Sequence, residues 1–205
     1  MALARGGHIT LTNANSYWYA HNTAEFLQRI AFSEGKLELP DDVKRLAMDM
    51  DSCRSDWRDG IDPIDGASIG VFEISTRIVK KYGSFVLHST CVSKRQFKEA
   101  QDVLMSFEEL EEHIRLLRSR FSKLIISCNI GFLVNLIDKC PRRGELNDFL
   151  TGIPARIGGV RVIDPNKYIH AFDPRKDLED SNHFLPHFVR VMSNVYLEEI
   201  EAFDA

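Results

Sequence analysis

The chain has 205 residues, of which 44% are hydrophobic and 27% charged, with a formal net charge of -4. That is enough apolar side chain for one well-filled core or two small ones, and too little positive charge for a general nucleic-acid binder. The four cysteines, Cys53, Cys91, Cys128 and Cys140, form no C-x-x-C pair, which excludes a zinc-finger spacing or a dense disulfide framework and reads as free thiols in a cytoplasmic protein.

Arg5 is not followed by an apolar run, so no secretory leader is expected. Residues His8 to Thr12 alternate polar and apolar, which predicts a short strand ended by Asn13, Asn15 and Ser16. Tyr17, Trp18 and Tyr19 follow, able to plug a core edge or to stack on a base or sugar. From Asn22 or Thr23 a helix carries Phe26, Leu27, Ile30 and Ala31 on one face and stops at Gly35. A second helix after Pro40 has Asp41 and Asp42 at its positive end and presents Val43, Leu46, Ala47 and Met50, so the two read as a helical hairpin.

Asp49, Asp51, Asp56, Asp59, Asp62 and Asp65 then crowd together, and clustered carboxylates suit hard divalent cations. Asp49, Asp51, Asp56 and Asp59 are the candidate metal ligands. The spacing fails a calcium loop, because with Gly60 as the loop glycine Gly66 stands where a glutamate is needed. The competing reading is a solvated, turn-rich loop.

Ile69 to Val79 and Phe85 to Val92, separated by Lys80, Lys81, Tyr82 and Gly83, read as an antiparallel hairpin, with His88 a candidate buried imidazole. Next comes the most regular stretch. Ala100, Val103, Phe107, Leu110, Ile114, Leu117, Phe121, Leu124 and Cys128 alternate spacings of three and four, which predicts a long central helical segment. Ser106 and Glu109 have capping-box spacing and divide it. Its stripe fits a core-facing surface or a self-association seam, in which case Phe107, Leu110, Ile114, Leu117 and Phe121 are the partner-binding residues. Arg115, Arg118, Arg120 and Lys123, joined by Arg142 and Arg143, are the candidate contacts for nucleic acid or an anionic membrane surface.

The least polar stretch, Leu124 to Ile137, is shorter than the roughly 20 residues a bilayer span needs, and its later part from Ile130 leans to helix. A short helix is expected over Glu145 to Leu150, a strand over Val160 to Ile163 stopped by Asp164-Pro165, and an antiparallel partner over Tyr168 to Phe172. The last helix begins near Pro186 and carries Phe188, Val191, Met192, Val195 and Ile200. His183 and His187 have metal-ligand spacing for one helix face, with Asp173 or Asp180 as further ligands, although Pro186 between them argues for a helix that leaves His183 outside.

No dinucleotide or P-loop glycine pattern, H-E-x-x-H motif or nucleophile elbow is present, so no cofactor is called for. These elements predict an α+β fold in a single domain over residues 1–205, with a subdivision into a helical part, 1–66, and a remainder, 67–205. The expected function is a non-enzymatic interaction or assembly protein that binds itself or a protein partner through an amphipathic helical surface. The alternatives are a metal-dependent hydrolase or nuclease using the aspartates or the histidine pair, and a structural protein touching nucleic acid or membrane.

Overall fold

The computed structural model describes residues 20–47, 69–88, 99–133, 136, 138–170 and 173–203. The expected strand at His8 to Thr12, the Tyr17-Trp18-Tyr19 run, the whole Asp49 to Asp65 cluster and the thiols Cys53 and Cys91 lie outside the described residues. The fold is α+β, with helices, a small antiparallel sheet and a separate parallel sheet. The described residues gather into two compact units that are discontinuous in sequence. One holds 20–47, 76–88 and 99–120; the other holds 69–75 and 121–203.

In the first unit α1 (Thr23–Ser33) starts at Asn22, whose side chain accepts the Glu25 amide at 3.0 Å. Glu25 answers by accepting the His21 amide at 3.0 Å, so two otherwise unmatched donors are satisfied reciprocally. Gly35, at φ +67°, ends the helix in the left-handed conformation that glycine adopts without cost. Helix α2 (Asp41–Ala47) follows. Strands β2 (Ile78–Tyr82) and β3 (Phe85–Leu87) form a tight hairpin around Gly83, at φ +58°, and β4 (Gln101–Leu104) pairs antiparallel with the other side of β2. Leu39, Val43, Leu46, Ala47 and Leu87 form one core cluster. Helix α3 (Phe107–Arg120) packs on α1, burying Leu110, Ile114 and Leu117.

The second unit is built on a parallel sheet in the order β1-β5-β6, formed by β1 (Ile69–Ile74), β5 (Lys123–Cys128) and β6 (Val160–Ile163). Central β5 is covered on both faces, and Leu124, Ile125, Ile126 and Cys128 are all buried. On edge strand β1 buried Phe72 and Ile74 alternate with exposed Val71 and Glu73. At Gly70 a Cβ would meet the rings of Phe72 and Phe121 at 2.7 to 2.9 Å, so any side chain there forces two aromatics aside. Helix α4 (Pro141–Thr151) packs on β5, and α5 (Pro186–Glu201) buries Phe188, Met192 and Val195 against Ile125, Ile163 and Ile169.

Several expected elements are corrected. The central three-four spacing is strand, helix, strand: only Phe107 to Arg120 is helical, and the capping box marks its true start, with Ser106 and Glu109 bonded reciprocally at 2.8 and 3.1 Å. The hairpin strand expected over Ile69 to Val79 breaks after Ile74. Thr76 gives its amide to the His21 carbonyl and its hydroxyl accepts the Ile78 amide, which diverts the chain from the first ladder to the second. The stretch from Ile130 is no helix among its described residues, because side chains claim its donors: Asn129 Oδ1 accepts the Ile130 amide and Asn166 Oδ1 the Gly131 amide, both at 2.7 Å. Tyr168 to His170 is no strand. A 3-10 turn over Pro165–Lys167 passes into it, and β6 finds its partner in β5. No helix among the described residues is long and apolar enough to cross a membrane.

Candidate functional site

In a parallel sheet the loops leaving the carboxyl ends of the strands form the natural crevice for a ligand, since chain directions agree and polar loop groups collect at one edge. In the second unit that edge is lined by Glu73 and Ser75 at the end of β1, Ser127 and Asn129 at the end of β5, and Asp164 at the end of β6. Asn129 is the hub. Its Nδ2 donates to the Ser75 carbonyl at 3.3 Å, and its own carbonyl accepts from Asn147 Nδ2 at 2.8 Å and Asn166 Nδ2 at 2.9 Å. Asp164 Oδ1 in turn accepts the Asn166 amide and side chain, at 3.0 and 2.7 Å.

Beside this hub stands a histidine held by a carboxylate. Asp180 Oδ1 accepts the backbone amides of Asn182 and His183 at 2.7 and 2.9 Å, which fixes the carboxylate and turns Oδ2 toward His183 Nδ1, 2.7 Å away. With Nδ1 donating, a neutral ring presents Nε2 as an acceptor. The hydrogen bond to Asp180 raises the His183 pKa and lowers that of Asp180, since each stabilises the other's charged form. The His183 side chain is 68% exposed, so the imidazole is open to a ligand. Glu73 lies close enough to feel both Arg143 and His183. Desolvation of its carboxylate is the larger effect and raises its pKa, while Arg143 and, when protonated, His183 pull it down.

Arg143, the third residue of α4, ties this edge together. Its Nη1 donates to the carbonyls of Ile130 at 3.0 Å, Phe132 at 3.2 Å and Ser181 at 2.8 Å, and its Nη2 donates to Asn182 Oδ1 at 2.9 Å. Behind the edge, Tyr196 donates to Ser127 Oγ at 2.5 Å, and burial pushes its phenol up to about 12. Burial likewise pushes the Cys128 thiol up to about 12, so this cysteine is protonated at neutral pH and is no nucleophile.

His183 and His187 sit on different elements. His183 precedes α5, while His187 is its second residue, with Nε2 3.4 Å from Asp177 Oδ1. Each imidazole thus has its own aspartate. Among the described residues no group of three or more histidines, cysteines or acids gathers to hold a metal. The candidate ligands Asp49, Asp51, Asp56 and Asp59 lie outside the described residues.

Of the helical stripe, Leu110, Ile114, Leu117 and Phe121 are buried, the core-facing alternative of the two, and Phe107 is half-buried under the Arg77 guanidinium, 3.8 Å from its ring centroid. The basic residues are dispersed in their duties. Arg115 pairs with Glu111 at 2.6 Å and Arg120 with Glu34. Arg118 is half-buried, Lys123 stands over the Phe203 ring, Arg142 is exposed, and Arg143 is spent on loop carbonyls.

His88 is fully buried, as expected of a core imidazole, with Nε2 3.7 Å from Glu25 Oε2. In the sequence Asp180 stands out only as a further metal ligand beside the histidine pair, and Arg143 as part of a basic patch for nucleic acid or an anionic surface. Asp180 and His183 are three apart in a loop, a spacing that carries no periodic signal. The residues between them, Ser181 and Asn182, are ordinary turn formers.

The chain belongs to the TviD N-terminal domain family, which matches residues 1–105, just over half its length. Glu73 and Ser75 fall inside the matched residues, whereas Asn129, Arg143, Asp180 and His183 fall beyond them. No curated protein and no solved structure matches the chain.

Proposed function

We propose that the parallel-sheet unit is catalytic and that the Asp180–His183 pair is its general base, in hydrolysis or transfer of an ester-linked group. The observation that carries this reading is the 2.7 Å bond from His183 Nδ1 to Asp180 Oδ2. A carboxylate locked by two backbone amides selects the tautomer that leaves Nε2 basic, which is the arrangement that activates a hydroxyl in acyl transfer. The setting supports it too: the pair stands at the strand-end edge where α/β sheets bind ligands.

In this chemistry Nε2 takes the proton of a hydroxyl or water as its oxygen bonds to the ester carbonyl carbon, and the carbonyl electrons move onto oxygen. When they return, the bond to the leaving alkoxide breaks and the imidazolium returns the proton to it. Water as acceptor gives an acid and an alcohol; an alcohol as acceptor gives a new ester.

The test is turnover of an aryl acetate by the wild type and by His183→Ala. General-base catalysis predicts a loss of about 100-fold or more in the variant. Equal rates in the two proteins, or no turnover by the wild type across acyl chain lengths, would overturn the proposal.

A further inference from the structure

We infer that Arg143 is a positioning residue: its guanidinium fastens the loop bearing Asp180 and His183 to the loop leaving β5, and so sets where the imidazole stands over the sheet edge. The inference rests on the general-base reading for its functional consequence but not for its geometry.

The loop from Glu179 to His183 is closed largely on itself. The Glu179 amide donates to the His183 carbonyl at 2.9 Å, and Asp180 Oδ1 holds the two amides already described. Such internal bonds fix the pair's shape, and Leu178 with Phe184 anchors the base of the loop in the core, which leaves the tip at Ser181 and Asn182 to be placed. Arg143 supplies the place. Two of its acceptors, Ser181 O and Asn182 Oδ1, lie between the two members of the pair, and the other two, Ile130 O and Phe132 O, belong to the chain just past Asn129.

A planar fork with several donors can bridge two loops at fixed separation, whereas a lysine, a point charge on a flexible stem, cannot hold that geometry. The backbone anchor is firm, because Arg143 lies in the first turn of α4, and Asn147 of the same helix donates to the Asn129 carbonyl at 2.8 Å. One helix therefore grips the end of β5 with one side chain and the His183 loop with another.

The experiment uses the full chain carrying Arg143→Ala or Arg143→Lys, read by amide exchange and by ester turnover. In Arg143→Ala the amides of Asn182 and His183 should exchange about tenfold faster or more, as loss of charge-assisted bonds implies, while those of β5 stay protected. Turnover should lose kcat by about 100-fold with KM unchanged, because misplacing a base by about 1 Å has that effect. Arg143→Lys should recover part of the protection and little of the kcat; if the alanine variant does not fold, the lysine variant carries both readouts.

Unchanged exchange at Asn182 and His183 would overturn the inference. So would unchanged kcat in a protein whose His183→Ala form is inactive. If the wild type turns over no ester, the general-base reading fails, and exchange alone still decides whether Arg143 fastens the loop.

Discussion

The two units handle buried polarity in opposite ways. In the antiparallel-sheet unit Asn22, Glu25, Arg29 and His88 are all almost fully buried, and their groups answer one another: Glu25 Oε1 accepts from Asn22 Nδ2 at 2.8 Å, and Oε2 accepts the His21 amide. Arg29 Nη2 reaches the Ala47 carbonyl at 3.3 Å, and Gln28 exchanges two bonds with the Val86 backbone at 2.6 and 2.7 Å. These are loads carried by the fold. In the parallel-sheet unit the buried asparagines Asn129 and Asn147 donate to the Ser75 and Asn129 carbonyls, and they support a rim where His183 stands open. Polarity sealed inside fixes which structure forms, whereas polarity oriented and left open can act on a ligand.

The sharpest way to break this contrast is Glu25→Ala. Removing the carboxylate strips partners from Asn22, the His21 amide and His88 at once. Leaving buried groups without their acceptor should cost about 4 kcal/mol in denaturant unfolding, at about 2 kcal/mol for each of two donors. A loss near zero would mean that the cluster is ornamental and that the two units do not differ as described. Next comes Leu117→Ala, which opens a cavity in a fully buried site of α3 and should cost about 3 kcal/mol. Light scattering should give it the wild-type mass. A changed mass with unchanged stability would restore the stripe as an association seam.

The smallest effect distinguishes the units by pH. Burial, helped by the Arg29 charge, lowers the His21 pKa below the usual 6.5, whereas Asp180 raises that of His183 above it. The signs are therefore opposite. His21 binds fewer protons folded than unfolded, so its contribution declines as pH falls below the ordinary histidine value. His183 binds more, so its contribution is complete below that value and is lost as pH rises through its own raised pKa. Because His183 is largely exposed, its share of stability is small and screened, yet the same titration should govern turnover. The rate should climb as His183 loses its proton. Imidazole resonances followed by NMR should place His21 below and His183 above 6.5, and a reversed order would dissolve the comparison.

How far this was legible depends on which forces act locally. The α3 start was readable because a capping box is a local hydrogen-bond pattern, as Ser106 with Glu109 bears out; Asn22 and Glu25 make the same pattern at α1, where the sequence offered Asn22 or Thr23 as the start. The C-terminal helix was readable from Pro186, whose missing N–H suits a first turn. Strand β5 was hidden for a physical reason: a central parallel strand covered on both faces loses its alternation, so Leu124 and Cys128 fell into step with the helical spacing before them. The candidate site was hidden for another. Arg143 finds its acceptors at residues 130, 132, 181 and 182 only after the chain has folded, and nothing in its neighbourhood, Pro141 to Gly144, distinguishes a clamp from a solvated charge. The pairing of His183 with Asp180 rather than with His187 follows from where α5 begins.

Cys128 gives this architecture a built-in clock. A thiol kept protonated at the end of the central strand ignores alkylating reagents while the sheet is closed, so each covalent label it acquires records one moment when the strands came apart. Half-exposed Cys140, twelve residues on, reports reagent strength in the same tube.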